Sequence, residues 1–196
     1  DFVGINAVEQ FIGDTAIANG YKFDAPGADT GKKVAIIGGG PAGLAAAYQL
    51  RRMGHGATIF EALSDLGGMF RFGIPGYRVP RDKLSAEIQR IVDMGVEVKT
   101  GVKVGTDVQV ADLEKEFDAI LWAIGCQSGR GLPVPGWDNT PNCVSGVAFL
   151  KAFNEGRMHV TADKVVCVGG GDTSIDVVSV ARRLGHIQST NPSERP

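Results

Sequence analysis

A strand–turn–helix motif near the start of the chain constrains the fold more than any other feature. Four apolar residues, 34–37, precede the pattern Gly38-x-Gly40-x-x-Gly43, and an alanine-rich run continues to Leu50. This spacing is typical of a buried strand, a tight glycine turn and a helix, with Gly40 placed where a pyrophosphate can approach the backbone. Free N–H groups at the positive end of the helix dipole would bind the phosphates. The motif therefore predicts a dinucleotide site.

An acidic residue at the matching position supports this interpretation. Glu61 follows the second apolar run, residues 57–60, and lies 18 positions after Gly43. In dinucleotide-binding folds a carboxylate at this place accepts hydrogen bonds from ribose hydroxyls. The combination of strand, helix, second strand and acid favours a nucleotide site over a purely structural glycine loop.

Composition excludes several other classes. The chain is 43% hydrophobic and 21% charged, carries a net charge of −2 and has no basic run, so we expect no nucleic-acid or anionic-membrane partner. No apolar stretch approaches the roughly 18 residues of a membrane span. We find no signal peptide, and a cytoplasmic location is expected. The first residue is Asp1 rather than Met, which predicts a trimmed or partial product.

The cysteines and histidines show no catalytic or metal-ligand spacing. Cys126, Cys143 and Cys167 are odd in number and widely separated, with no C-x-x-C pair. They are predicted to be reduced core thiols, so no metal site is expected in this chain. The three histidines are interpreted as surface residues, and no catalytic triad or dyad is visible. The histidines are His55, His159 and His186.

Strand and helix patterns alternate after Lys33, which is the signature of an α/β fold with a parallel sheet. Before that point we expect an amphipathic helix with a capping box of Asn6 and Glu9 and a stop at Gly20, then a linker over 21–33. The later predictions are strands at 34–37, 57–60 and 119–123, a strand or hairpin at about 96–104, and helices at about 41–53, 84–95, 110–117 and around 147–153.

The opening motif recurs 131 residues later. Residues 164–168 are predicted to form a new strand that leads into Gly169, Gly171 and Ser174, with a helix through Arg183. Ser174 stands where Gly43 stood. The repeat predicts a second nucleotide site, with a structural turn as the alternative. Only 22 residues follow Ser174 and they contain no second apolar strand, so we expect this second unit to be incomplete.

Taken together, several stretches resemble one known family over nearly the whole chain. The sequence resembles the glutamate synthase small subunit and its relatives, which are FAD-dependent NAD(P)H oxidoreductases. Those relatives include the flavin region of dihydropyrimidine dehydrogenase and subunits of electron-bifurcating transhydrogenases. The matching stretches are 38–43 with Glu61, 66–80, 123–125 with Ile124 in place of the usual Thr, Arg130 with 132–136, and 169–176.

The resemblance implies a two-dinucleotide-binding-domain flavoprotein whose second Rossmann unit is truncated. It implies an N-terminal helix and linker at 1–31, an FAD-binding domain at 32–155 and the start of an NAD(P)H-binding domain at 156–196. Residues 40–43 would bind the FAD pyrophosphate, Glu61 the ribose and Val104 the adenine. Residues 67–69 would lie close to the ribityl chain and the diphosphate, and Ile74 and Arg78 would lie near the flavin ring.

The implied contacts can be given residue by residue. For FAD they are Gly38, Gly40, Pro41, Ala42, Gly43, Glu61, Ala62, Gly67, Gly68, Met69, Ile74, Arg78, Val104, Ala123 and Gly125. For NAD(P)H they are Gly169, Gly171, Asp172, Thr173 and Ser174. No catalytic side chain is expected, because hydride transfer between nicotinamide and flavin is carried by the cofactors.

The family's function implies hydride transfer from NAD(P)H to FAD and onward electron transfer to iron–sulfur clusters or a partner subunit. The family's 4Fe–4S clusters lie in an upstream region that this sequence lacks, so the clusters are expected there or in a partner. Two alternatives stay open: a flavin monooxygenase or oxidase, and a non-catalytic nucleotide-binding or scaffold subunit of a redox complex. The choice between NADH and NADPH is read by residues that follow the second strand of the second unit.

Overall fold

A computed structural model describes residues 3–129, 131–137, 139–158 and 164–184. The expectations for Arg130, His159 and His186 fall outside these residues. The described helices are α1 (Ile5–Ala18), α2 (Pro41–Arg52), α3 (Met69–Phe72), α4 (Arg81–Val92), α5 (Val110–Glu116), α6 (Gly146–Asn154) and α7 (Asp172–Leu184). The described strands are β1 (Lys33–Ile37), β2 (Gly56–Glu61), β3 (Glu97–Thr100) and β4 (Ala119–Trp122).

The four strands form one parallel sheet in the order β3-β2-β1-β4. The chain adds β2 and β3 on one side of β1 and then returns to place β4 on the other side. The predicted parallel α/β fold is therefore confirmed. This order puts the topological switch point between β1 and β4, where open α/β sheets bind ligands outside the carboxyl ends of their strands.

Apolar side chains cover both faces of the two central strands, β1 and β2, whereas the outer strands β3 and β4 are mostly exposed. Ile36 and Ile59 face a core that includes residues of α2 and α4, while Ile37 and Phe60 face a second core with Leu113 of α5. Successive residues of β1 alternate between the two cores, as the period of a strand requires. A strand buried on both faces reads as a continuous apolar run, which is the pattern of residues 34–37.

The contacts divide the chain into two compact units. The first comprises Asp1–Gly67 and Asp82–Ala123 and contains the sheet. The second comprises Gly68–Arg81 and Ile124–Pro196, and its described core packs Phe149, Phe153, Val177 and Val180 from α6 and α7. The sequence-based domain limits at residues 32 and 156 stay a prediction.

The predicted strand at residues 164–168 is wrong. These residues have no strand pairing, and the side chain of Val166 is 86% exposed. A parallel strand needs a neighbour for its hydrogen-bond ladder, and no described segment of this unit lies paired beside it. The helix that follows is confirmed as α7, so the second motif is a turn and a helix in the described structure.

The N-terminal helix is confirmed, but its predicted capping box is wrong. Asn6 and Glu9 both lie inside α1, whose N-cap is Gly4, with no side-chain cap. The predicted stop is confirmed: Gly20 has φ +65°, and the N–H of Tyr21 reaches back to the carbonyl of Ala16. No residue of α1 is buried.

The predicted linker, residues 21–33, packs on the rest of the first unit, and its last residue, Lys33, already belongs to β1. The N–H of Gly27 donates to the carbonyl of Arg51, and the ring of Phe23 lies 4.8 Å from that of Tyr48. The guanidinium of Arg90 lies 4.2 Å from the Phe23 ring centroid.

Among the described residues, no helix has the length and apolar character needed to cross a bilayer.

Candidate functional site

The first glycine turn joins β1 to α2 with no room for side chains. Gly38 has φ +111°, a conformation that favours glycine, and its N–H donates to the carbonyl of Phe60 at 2.8 Å. A Cβ on Gly43 would lie 2.0 Å from the carbonyl oxygen of Gly38. The two glycines therefore allow the helix to start directly against the end of the strand.

The start of α2 presents unused hydrogen-bond donors. Its N-cap is Gly40, which offers no side-chain cap, and Pro41 occupies the first helical position without an N–H. Within the described structure, no acceptor faces the N–H groups of Gly40, Ala42 or Gly43, whereas that of Leu44 bonds to Gly40. Three free donors at the positive end of a helix fit a pyrophosphate.

Glu61 ends β2 and faces the turn. Its Oε2 accepts the N–H of Gly39 at 2.7 Å, and its Oε1 accepts that of Leu63 at 2.8 Å. The side chain is buried. Each carboxylate oxygen keeps a further lone pair, which suits the ribose hydroxyls. Ala62, the next residue, is exposed.

Leu66 and Gly67 close one side of this turn. A Cβ on Gly39 would lie 2.3 Å from Cδ2 of Leu66 and 3.1 Å from Oε2 of Glu61. The N–H of Gly67 donates to the carbonyl of Gly39 at 2.8 Å, and Gly67 has φ +126°. Leu66 was not among the predicted contacts, because a leucine in a glycine-rich loop carries no binding signal.

Ala123 and Val104 lie near the carboxyl ends of the central strands. The N–H of Ala123 donates to the carbonyl of Ile37 at 2.8 Å, which places Ala123 beside the residue that precedes the turn. This is the switch point between β1 and β4. Val104 packs with the core that contains Ile37 and Phe60. The first unit therefore gathers Gly38, Gly40, Pro41, Ala42, Gly43, Glu61, Gly67 and Ala123 around one sheet end.

In the second unit, the segment 68–79 is held by its own backbone and by Arg81. Gly68 has φ +51° and precedes α3, and the carbonyl of Met69 accepts the N–H groups of Gly73 and Ile74. Arg81 donates to three carbonyls of this segment and to the side chain of Asn154. The carbonyls are those of Phe70, Ile74 and Val79.

Burial and the neighbouring Arg71 lower the pKa of Arg81 to about 10, so it is charged at neutral pH. Gly125, also in this unit, has φ +63° and is exposed. The described contacts of the second unit therefore fix segment 68–79 through backbone carbonyls. Because every residue has a carbonyl, the sequence does not mark these contacts.

The second glycine turn repeats the geometry of the first. Gly169 has φ +132° and lies three residues before α7, as Gly38 lies three residues before α2. In the described part of the chain, no acceptor faces the N–H groups of Gly171, Asp172 or Thr173, and that of Ser174 bonds to Gly171. These donors fit a phosphate, while the carboxylate of Asp172 opposes one through its charge.

Asp176, one turn further along α7, is buried and binds Arg78. Nη1 of Arg78 donates to both carboxylate oxygens, at 2.7 and 2.8 Å. The Asp176 carboxylate raises the pKa of Arg78, so this side chain stays charged. Sequence reasoning placed Arg78 near a flavin and gave Asp176 no contact with it, because the two residues lie 98 positions apart.

The cysteine prediction is corrected in part. All three thiols are free, but Cys126 and Cys143 are exposed rather than in a core. They lie in segments between β4 and α6 that have no regular structure to bury them. Cys167 is half-buried and its Sγ donates to the carbonyl of Ser174 at 3.8 Å.

The fold and the first turn define a class: α/β proteins that bind a dinucleotide at the switch point of a parallel sheet. Residues 32–190 match the model of the pyridine nucleotide-disulphide oxidoreductase family. The chain belongs to this family, whose members bind FAD and NAD(P)H.

Two relatives and one solved structure show the extent of the similarity. The chain is 45% identical to the NADP(+)-dependent formate dehydrogenase subunit beta of Moorella thermoacetica, over 80% of this chain and 22% of that protein. It is 36% identical to the glutamate synthase [NADPH] small chain of Mycobacterium tuberculosis, over 95% of this chain and 41% of that protein.

Mycobacterium tuberculosis FprA in complex with NADPH superposes with a TM-score of 0.57 and 27% identity, over 63% of this chain and 29% of FprA. The resemblance to the glutamate synthase small subunit and its relatives is confirmed. The chain spans less than half the length of each of these proteins.

Proposed function

We propose that this chain carries the FAD turn and the NAD(P)H turn of a flavoprotein oxidoreductase. The protein would pass hydride from NAD(P)H to FAD and electrons on to iron–sulfur clusters or a partner subunit, in the cytoplasm. The observation that carries this proposal is the repeated geometry at Gly38 and Gly169. Each glycine has a positive φ and stands three residues before a helix whose first N–H groups have no acceptor in the described structure.

The two turns support different nucleotides. The first combines its donors with the buried carboxylate of Glu61, which suits a phosphate and a ribose together. The second turn combines its donors with Asp172. The described residues of its unit contain no strand, and so no carboxylate at a strand end like Glu61. The resemblance assigns the first turn to FAD, which leaves the second for NAD(P)H.

The chain's own residues would bind and orient rather than react. Bound FAD would supply the hydride and electron chemistry, because flavins exchange two electrons with nicotinamides and one with clusters. The N–H groups of Gly40, Ala42 and Gly43 would hold the FAD pyrophosphate, and Glu61 would fix the ribose. Only the resemblance implies flavin contacts for Gly68, Met69, Ile74 and Gly125.

The names of the relatives support a partnered enzyme. One is a beta subunit and another a small chain, and both names include NADP(+) or NADPH. The redox partner of this chain is accordingly proposed to be a further subunit or an iron–sulfur protein.

An anaerobic titration of the purified intact protein tests the proposal. We expect the visible absorption of a bound oxidised flavin, and we expect NAD(P)H to bleach it without oxygen. A protein that binds flavin but is not reduced by either nucleotide would favour the oxidase alternative. A protein that binds nucleotides but no flavin would favour the non-catalytic subunit.

A further inference from the structure

Two consecutive residues at the end of segment 68–79 contact one face of α7. Arg78 binds Asp176, and the ring centroid of Tyr77 lies 3.8 Å from the guanidinium carbon of Arg183. Asp176 and Arg183 are seven residues apart, which is two helical turns on the same face. The ring of Tyr77 also packs against the core of Val177 and Val180. The segment therefore attaches to the helix that follows the second glycine turn.

The same segment is fixed at its other side. Arg81 donates to the carbonyls of Phe70, Ile74 and Val79, and Asn154 of α6 donates to the carbonyl of Phe72 at 3.0 Å. A guanidinium that bonds three carbonyls of one segment holds its backbone in a single path. The base of Arg78 is thus rigid, and only its side chain remains to be oriented.

Asp176 orients the Arg78 side chain by binding one of its guanidinium nitrogens. Both carboxylate oxygens accept from Nη1, and neither Nε nor Nη2 of Arg78 forms a hydrogen bond to another described residue. The Asp176 side chain is 8% exposed, whereas that of Arg78 is 49% exposed. A guanidinium has five N–H donors, so the held side chain still presents donors and a positive charge to an acceptor outside the described residues.

We propose that Asp176 is a positioning residue for the flavin reaction: it holds Arg78 in place and so links the flavin-contacting segment to the helix behind the NAD(P)H turn. This inference rests on the proposed function, because only the resemblance places Arg78 near the flavin ring. Asp176 itself is buried, and both of its carboxylate oxygens accept from Arg78. Its influence on the reaction passes through Arg78.

Hydrogen exchange tests the link without any cofactor. In Asp176→Asn, which keeps the side-chain shape and removes the charge, the amides of residues 71–79 should exchange at least about tenfold faster than in the wild-type protein. Exchange in β1 and β2 of the first unit should be unchanged. Arg157→Gln is the matched control, because Arg157 forms an exposed ion pair with Glu155 in the same unit. Unchanged exchange in residues 71–79 of Asp176→Asn would overturn the link.

Stopped-flow reduction of the flavin in the intact holoprotein tests the positioning role. Asp176→Asn should slow reduction at saturating NAD(P)H by about tenfold or more, with the apparent dissociation constant of the nucleotide little changed. Arg78→Gln should slow it at least as much. The double variant should be within about twofold of Arg78→Gln alone, because Asp176 acts through Arg78. If the double variant slows reduction by the product of the two single-variant factors, the proposal is overturned.

Asp176→Glu keeps the test decisive if the asparagine variant does not fold. The glutamate retains the ion pair but displaces the guanidinium by one methylene. If Asp176 positions Arg78, Asp176→Glu should be a stable protein with slow flavin reduction. If the ion pair is purely structural, the variant should reduce flavin at the wild-type rate, which would overturn the proposal. If wild-type protein shows no flavin reduction at all, the proposed function fails, and the exchange experiment still decides whether Asp176 holds the segment.

Discussion

Glu61 binds the backbone of Gly39: its Oε2 accepts that N–H at 2.7 Å, across 22 residues of chain. The contact joins the end of β2 to the turn after β1, at the point where the dinucleotide motif requires both. The carboxylate therefore has a structural role in shaping the turn in addition to the ribose contact that we propose for it. Either role alone would explain an acid at this position, but they predict different consequences of its replacement.

Glu61→Gln should lower stability even without a cofactor. A carboxamide has one acceptor oxygen, so its NH2 group would face the N–H of either Gly39 or Leu63 in a buried site. A buried donor left unsatisfied costs about 1–3 kcal/mol, and we expect the free energy of unfolding in urea to fall by that amount. Glu114→Gln, on the exposed face of α5, is the control and should change little. Equal stability of both variants would show that the Gly39 contact contributes nothing.

Gly43→Ala should be strongly destabilising. Its Cβ would lie 2.0 Å from the Gly38 carbonyl oxygen, a backbone atom that cannot rotate away. We expect a loss of about 3 kcal/mol or more, at the upper end of overpacking effects. Gly13→Ala is a matched control inside α1, where a Cβ would meet nothing within 4 Å. That variant should gain about 0.5–1 kcal/mol from helix propensity.

Both glycine variants are compared by thermal and urea unfolding. A Gly43→Ala protein as stable as the wild type would mean that α2 does not start against the end of β1. The first phosphate site would then lack the close contact between β1 and α2 on which it depends.

Asp172→Asn should have opposite effects on stability and on nucleotide binding. Asp172 lies in the first turn of α7, where a negative charge stabilises the helix dipole by about 0.3–1 kcal/mol. The same charge repels a phosphate at that turn. We therefore expect slightly lower stability but about two- to fivefold tighter NADPH binding, with the gain shrinking at high salt. Weaker binding in the variant would show that Asp172 accepts a hydrogen bond from the nucleotide.

Asp118 should make the start of the sheet sensitive to acid. Its Oδ1 accepts from Lys32 Nζ at 2.7 Å and its Oδ2 from the N–H of Lys33 at 2.8 Å, and these bonds lower the pKa of the Asp118 carboxyl. A lowered carboxyl pKa stabilises the folded state above the unfolded pKa, and this stabilisation is lost as pH falls through the folded pKa.

Asp118→Asn should therefore be less stable than wild type at neutral pH, with the difference vanishing on acidification. Urea unfolding at neutral and acidic pH measures this change. Asp112→Asn, an exposed residue paired with Lys115 within α5, serves as the control. A stability difference that persists at acidic pH would contradict the assignment.

The sequence predicted the elements whose signals are local. The β1–turn–α2 unit was predictable because strand burial, glycine spacing and helix start all lie within about 20 residues of chain. The predicted strand at 164–168 failed for the opposite reason. Its apolar residues have the composition of a strand, but a strand exists only with a paired neighbour, and composition does not supply one.

The contacts that position the candidate site were less predictable. Nothing near Arg81 or Asn154 marks them as the groups that hold segment 68–79, since backbone carbonyls are the acceptors and every residue has one. The Arg78–Asp176 pair joins residues 98 positions apart. Long-range polar pairs follow from the path of the folded chain, so they appear only in the structure.

Equivalent positions in the two turns test the assignment of FAD to the first turn and NAD(P)H to the second. Ala42 and Thr173 each lie four residues after the positive-φ glycine, and both are exposed. Ala42→Glu and Thr173→Glu place the same carboxylate beside the free N–H groups of α2 or α7. Flavin content and anaerobic reduction by NADPH are then measured for both variants of the intact protein. We expect Ala42→Glu to lose FAD, whereas Thr173→Glu should keep FAD but no longer be reduced by NADPH. Loss of FAD in Thr173→Glu, with full retention in Ala42→Glu, would contradict the assignment of the two turns.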